Sequence, residues 1–235
     1  MKQDQFSRYS RQIFIEEIGL EGQKKLMASK VLVIGAGGLG SPVIQYLAAA
    51  GVGTLGVADF DEVELHNLNR QIIHTENRVG LSKVMSAETF VENLNHQVTF
   101  TGIEEKINKN NAEEILSQYD VIVDGSDNFS TRYLVNDTCV KLKKTLVYGS
   151  ILGFSGQVAV FNHSGSKSLR DLFPEPPSDG DVPDCDSLGV LGALPGIIGS
   201  MMALQTLKII TGLPVSLNQL TLVNVMDWRF QTIDF

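Results

Sequence analysis

The sequence predicts an α/β fold in which a doubly wound, mainly parallel sheet is continued by antiparallel strands toward the C-terminus. Three observations carry this. Residues 31–40 read VLVIGAGGLG, an apolar run of the kind buried on both faces of a parallel sheet, entering a glycine turn. Strand-like and helix-like segments then alternate as far as Ser150. Beyond Gly149 the pattern shifts to period two in GQVAVFN and QLTLVNVMDWRFQTIDF, which reads as antiparallel strand. The nucleotide-binding fold this implies is Rossmann-like.

The elements follow in order. Residues 1–30, which open on the polar stretch MKQDQFSRYSRQ, are expected to form a helical segment ahead of the sheet. Val31–Ile34 is the first strand. In the helix that follows, Ser41 is read as N-cap and Pro42 as the first helical residue. Val43, Ile44, Leu47 and Ala48 recur at helical spacing, and Gly51 closes the C-terminus. Thr54–Asp61 is a second strand ending in acid. KVMSAETFVENL is a helix with Val84, Ala87, Val91 and Leu94 on one side. VTFTGI, DVIVDGSDN and TLVYGS read as strands, with the last two separated by the helix FSTRYLVNDTCVKLKK and NNAEEILSQ a helix before them.

The chain is expected to form one domain, with a nucleotide-binding half at 31–150 and a second half at 151–235 that contains a crossover loop at 162–189. Four prolines and four aspartates fall within Leu172–Gly189, so a mobile loop rather than a regular element is expected there. GVLGALPGIIGSMMAL, at 189–204, falls short of the roughly 20 apolar residues a bilayer demands and reads as a buried helix.

Composition narrows the function. A net charge of −8 argues against a phosphate-neutralising surface for nucleic acid, and MKQDQFSRYSRQ carries no targeting pattern, so a cytoplasmic, membrane-free protein is expected. With only Cys139 and Cys185 and no C-x-x-C, neither a disulfide framework nor a zinc knuckle is indicated.

Gly35-Ala36-Gly37-Gly38-Leu39-Gly40 matches G-x-G-x-x-G, which aims helix N-terminal amides at phosphate. Asp59, at the end of the next strand, is placed for a ribose hydroxyl. Alone, this favours NAD and an oxidoreductase. HNLNRQ and VGLSK then add Arg70 and Lys83, suited to the β- and γ-phosphates of a triphosphate that expels pyrophosphate. The bland alternatives are a surface ion pair for Arg70 and a solvated helix residue in Lys83. Asp127 and Asn128 follow the strand VIVD, where open sheets bind ligands. Asp127 is open to two roles, Mg²⁺ ligand or helix N-cap.

Together RYSRQI, GAGGLGSP, ADFDEVELHNLNRQ, VGLSK, DGSDNFSTRYLVND, GFSGQVAVFN and GVLGALPGIIGSMMALQTLK resemble the ThiF/MoeB/HesA family, bacterial relatives of ubiquitin-activating enzymes, from Arg8 to beyond Lys208. The resemblance implies ATP-dependent adenylation of the C-terminal glycine carboxylate of a ubiquitin-like sulfur carrier of ThiS or MoaD type ending in Gly-Gly. Thiocarboxylation with a sulfur donor such as a cysteine desulfurase or rhodanese would follow, in thiamine or molybdopterin biosynthesis. It implies an ATP and Mg²⁺ site formed by the glycine turn with Gly38, Asp59, the segment His66, Asn67, Leu68, Asn69 and Arg70, then Lys83, Asp127 and Asn128. It also implies a homodimer in which Arg11 reaches the neighbouring subunit's site. Within the family, adenylation of a tRNA nucleoside and a non-catalytic nucleotide-binding partner are the rival readings.

Many family members hold a structural zinc with two C-x-x-C pairs. Here the first reads Ser168-Leu169-Arg170-Asp171 and the sequence ends at Phe235 without the second, so no zinc is expected. His74, His96 and His163 are read as surface or satisfied core residues, with His66 lining the nucleotide site. Cys185 falls where the family often has a cysteine used in sulfur transfer. Asp184 and Asp186 beside it disfavour the thiolate, which leaves a covalent role open. Cys139 is read as a small core residue.

Overall fold

A computed structural model describes residues 1–177 and 189–235. Two helices, α1 (Gln3–Ile13) and α2 (Gly19–Ala28), precede β1 (Lys30–Ile34), α3 (Gly40–Ala50) and β2 (Thr54–Ala58). Then come α4 (Lys83–Asn95), β3 (Thr99–Ile103), α5 (Ala112–Ser117), β4 (Val121–Asp124), α6 (Phe129–Leu142), β5 (Thr145–Leu152), β6 (Ser155–Phe161) and the short α7 (Leu169–Leu172). After residue 188 follow α8 (Ala193–Thr211), β7 (Gln219–Asn224) and β8 (Arg229–Asp234).

All the strands join one sheet in the order β3-β2-β1-β4-β5-β6-β7-β8. β1 to β5 run parallel, and β6, β7 and β8 each pair antiparallel with the strand before them. This is the predicted α/β class. The register has a direct consequence for function. Ile34 lies opposite Ala58 on one side and Asp124 on the other, so Gly35, Asp59 and Gly125 leave the sheet side by side. Sequence order reverses between β1 and β4, the switch point where such sheets open a crevice.

The core has two layers, because alternate strand residues face opposite sides. Val31 and Val33 pack with Val43, Leu47, Ala87, Val91 and Ile198, the layer beneath α3, α4 and α8. Leu32 and Ile34 pack with Leu116, Ile122, Tyr133 and Cys139, the layer beneath α5 and α6. Burying a large aliphatic side chain in either layer stabilises by roughly 1.5–3 kcal/mol.

The sequence reading needs three adjustments. Helix α3 begins two residues earlier than expected: Leu39 occupies the N-cap position and Ser41 lies inside the first turn, its backbone N–H bonded to the Gly37 carbonyl. The glycine turn winds straight into the helix, so no separate capping residue intervenes. Gly51 does close α3, with φ +81°. Second, α8 is not a wholly buried helix. It is long and apolar enough to cross a membrane by length and composition, yet 39% of that window is buried, and Leu204 points outward while Leu194, Ile198 and Met202 face the sheet. Third, the expected loop is structured up to Pro177, with α7 inside it. Its remainder, including Cys185 with Asp184 and Asp186, lies outside the described residues.

Candidate functional site

The glycine turn is shaped by two close approaches. Gly35 has φ +90°, which side chains rarely adopt, and a Cβ there would lie 2.9 Å from the Gly125 carbonyl. A Cβ on Gly40 would meet the Gly35 carbonyl at 1.8 Å, so the start of α3 sits against the end of β1 only because both are glycine. Gly38 backs onto Arg70 and Pro195, a Cβ there lying 3.7 Å from Arg70 Cγ. Among the described residues, the amide N–H groups of Gly37, Gly38 and Leu39 have no hydrogen-bond partner. Unused donors at a helix start, with Arg70 alongside, are an arrangement suited to an anion.

Asp59 is held by the backbone around it. Its Oδ2 accepts from the Ala36 N–H at 2.7 Å and its Oδ1 from the Asp61 N–H at 2.9 Å, fixing the turn to the end of β2. Burial raises its pKa, opposed by nearby Lys83 and by these backbone donors. Lys83, the first residue of α4, is buried and not the solvated residue of the bland alternative; its Nζ pairs with Asp61 Oδ2 at 2.9 Å. Arg70 Nη1 donates to the His66 carbonyl at 2.9 Å and to Asn69 Oδ1 at 3.1 Å, so its anchor is its own turn rather than a carboxylate. Asn67 caps that turn, accepting from the Glu64 N–H at 3.0 Å, with its amide against His66 Nε2. Leu68 lies between them, half-buried, and His66 is exposed beside Glu64.

Across the switch point, the two roles open to Asp127 are resolved in part. Asn128 is the N-cap of α6, its Oδ1 accepting from the Thr131 N–H at 2.9 Å. Asp127 is therefore released from capping. It is exposed and accepts from Asn128 Nδ2 at 3.2 Å. The segments that meet at the switch point carry four buried atoms without partners among the described residues, Ser41 Oγ, Gln71 Oε1, Ser126 Oγ and Asp124 Oδ2. Orphaned polar atoms at a crevice are what a ligand or ordered water satisfies.

Sequence reasoning missed Arg132. It is buried in α6, donating from Nη1 to the Gly149 carbonyl at 2.6 Å and from Nη2 to the Ser126 carbonyl, with its guanidinium 5.0 Å from the Tyr148 ring centroid. It thereby ties β5 to the residue before Asp127. Helical spacing held the signal, since Arg132 lies three before Val135 and seven before Cys139, the buried face. Arg132 also lines a cavity of about 320 Å³ with Phe129, Tyr133, Tyr148, Gln157 and Phe173, opening beside the start of α6.

Arg11 is not brought to this site. Gln12 on α1 donates to the Ala50 carbonyl at 2.9 Å, and Tyr9 packs on Gly51, so α1 sits at the far end of α3. Arg11 is exposed and makes no hydrogen bond or ion pair among the described residues. Cys139 is fully buried, as its spacing suggested, and burial beside Asp124 pushes its thiol pKa far up, which makes it inert. At the Ser168–Asp171 segment, Arg170 clamps Asp137 through Nε at 2.7 Å and Nη2 at 2.8 Å. Among the described residues no group of three His, Cys, Asp or Glu could hold a metal ion.

The ThiF family matches residues 9–235. The chain is 51% identical over 212 residues to the adenylyltransferase and sulfurtransferase MOCS3 of Culex quinquefasciatus, covering 90% of this chain and 48% of that one. It is 46% identical over 232 residues to the SAMP-activating enzyme E1 of Haloferax volcanii, covering 98% of this chain and 86% of that one. The chain thus spans about half the length of the MOCS3 relatives it matches. Among solved structures, E. coli MccB crystallised with a MccA derivative superposes with TM-score 0.85 at 20% identity, over 97% of this chain and 71% of that one, a likeness of fold.

Proposed function

Because the chain belongs to the ThiF family, we propose that it is an ATP-dependent adenylyltransferase that activates the C-terminal glycine carboxylate of a ubiquitin-like sulfur carrier of ThiS or MoaD type. The observation that carries this reading is the strand register. It sets the unpartnered amides of Gly37, Gly38 and Leu39 beside Arg70 and directly across from the turn that presents Asp127. An NAD enzyme needs the first half of this arrangement; an adenylating enzyme needs both.

In this reading the ribose binds at Asp59 and the triphosphate lies along the glycine turn toward Arg70 and Lys83. The carrier's terminal carboxylate, already ionised at neutral pH, attacks the α-phosphorus in line with the departing pyrophosphate, so no general base is required. Arg70 and Lys83 offset the charge that gathers on pyrophosphate. Lys83 exchanges its bond with Asp61 for a phosphate oxygen. The exposed, uncapped carboxylate of Asp127 suits Mg²⁺, which takes one or two carboxylates together with phosphate oxygens and water and would supply further charge neutralisation. The carrier tail approaches through the cavity between α6 and β5, past Phe129 and Arg132.

The remaining parts of the proposal are a homodimer in which the partner subunit's copy of Arg11 completes the site, and the absence of a structural zinc, the Arg170–Asp137 clamp closing the segment that would hold it. Sulfur transfer from a separate donor follows adenylation, with Cys185 as the thiol to test. The test is ATP–pyrophosphate exchange with a panel of Gly-Gly-ended carriers. Exchange with one carrier is expected, lost about a hundredfold or more in Arg70→Ala, Lys83→Ala and Asp127→Ala, the scale of removing one preorganised electrostatic group. Exchange with no carrier, or full exchange in a folded variant, would overturn the reading or that residue's place in it.

A further inference from the structure

His74 lies between two short turns and is buried directly beneath the glycine turn. Its Nε2 is 2.9 Å from the Ala36 carbonyl and its Nδ1 is 2.8 Å from Ser86 Oγ on α4. A carbonyl can only accept, so Nε2 carries the proton, and Nδ1 accepts from the serine hydroxyl. Burial lowers the imidazole pKa, opposed by the bond to Ala36 and helped by nearby Lys83, so the ring is neutral in this arrangement.

The chemistry that follows concerns one peptide plane. Ala36 is gripped on both sides by buried side chains: Asp59 holds its N–H at 2.7 Å and His74 holds its C=O at 2.9 Å. The Ala36–Gly37 peptide is trans, and in a trans peptide the C=O and the following N–H point in opposite directions. With its carbonyl drawn inward to His74, the plane must send the Gly37 N–H outward, into the crevice, where it has no partner among the described residues. Glycine at 37 leaves the φ on the far side of this plane unrestricted by a side chain, so without an anchor the N–H has other directions open to it.

We propose that His74 is a positioning residue for nucleotide binding, holding the Ala36–Gly37 peptide so that the Gly37 N–H donates to a nucleotide phosphate. This rests on the nucleotide-binding part of the proposed function and not on the carrier. His74 touches no substrate; it acts through Ala36, whose carbonyl fixes its tautomer, and Ser86 holds the other ring nitrogen.

Two conservative variants separate this role from simple packing. Glutamine places an N–H near the position of Nε2 and keeps the bond to Ala36, whereas asparagine places an acceptor near Nδ1 and keeps only the bond to Ser86. Calorimetric titration with Mg²⁺-ATP, in the absence of any carrier, should show affinity within about threefold of wild type for His74→Gln and about tenfold or more weaker for His74→Asn, the cost of losing one oriented donor to a charged group. Adenosine, which has no phosphate, should bind both variants alike, and their melting temperatures should fall together. Equal ATP affinity in the two variants, or a matching loss for adenosine in His74→Asn, would overturn the role. So would failure of the wild type to bind ATP at all, which would also remove the nucleotide reading. If ATP binds as expected but no carrier supports exchange, the role of His74 stands and the carrier part of the proposed function falls.

Discussion

The two rims of the crevice are built on opposite plans. On the β1–β2 rim three polar side chains are sunk into the structure and tied down: Asp59 to two backbone amides, His74 to Ala36 and Ser86, Lys83 to Asp61. On the β4–β5 rim the buried tie is made by Arg132 from beneath, and the group that faces the crevice, Asp127, is left exposed with a single neighbouring amide. The first rim is a rigid mould for a ligand of fixed shape. The second keeps an open flank beside a cavity, as required where a second reactant must come and go.

This contrast is most sharply tested by comparing Lys83→Ala with Asp127→Ala. Both should lose about a hundredfold in exchange. Only Lys83→Ala should also destabilise the fold, by about 1–3 kcal/mol, because it strips a buried cation from between Asp59 and Asp61. Thermal melts of the two proteins should therefore diverge by several degrees while their activities match. An equally large fall in Asp127→Ala would show that the second rim is as tightly built as the first.

A smaller effect concerns pH. Burial depresses the pKa of His74 below its ordinary 6.5, so the unfolded chain takes up a proton at higher pH than the folded one. Stability from this source is complete above 6.5 and is lost as pH falls below it, by up to about 1.4 kcal/mol per pH unit until the folded imidazole itself titrates. Denaturant midpoints measured from pH 7.5 to 5 should fall more steeply for wild type than for His74→Gln. Parallel curves would mean that His74 titrates freely in the folded state.

The least effect is expected at Arg170–Asp137, away from both rims. Arg170 holds the Asp137 carboxyl below its usual range, so the pair contributes above the ordinary aspartate pKa and is lost as pH falls through the lowered value. Both side chains are about half exposed, and Arg170→Ala should cost no more than about 1 kcal/mol at neutral pH. A denaturation midpoint showing several times that loss would make this clamp a main support of the fold rather than a minor surface tie.

Much of this was legible in the chain. Val31–Ile34, Val121–Val123 and Leu146–Val147 announced themselves because strands buried on both faces are continuously apolar, and the Gly35–Gly40 spacing announced the turn because only glycine permits those approaches. Asp59, Arg70, Lys83 and Asp127 were found because they stand in short motifs, the strand end ADFD, HNLNRQ, VGLSK and DGSDN, that follow the glycine turn in order. His74 and Arg132 were read past for the opposite reason. Each lies inside an ordinary-looking segment, and its importance consists of bonds to backbone atoms distant in sequence, Ala36 and Gly149.

By itself, then, the sequence determined the order of strands and helices, the glycine turn and the types of charged group available, since these follow from local sterics, periodicity and solvation along a short stretch of chain. The tertiary structure decided which of those groups share a crevice. It sets Gly35, Asp59 and Gly125 side by side through the parallel register, gives the N-cap to Asn128 instead of Asp127, buries Lys83 against Asp61, and leaves Arg11 at the far end of α3. Apart from the local cap of Asn128, each of these depends on contacts between segments tens of residues apart, and such contacts are selected by how whole layers pack and pair, which no local stretch of sequence encodes.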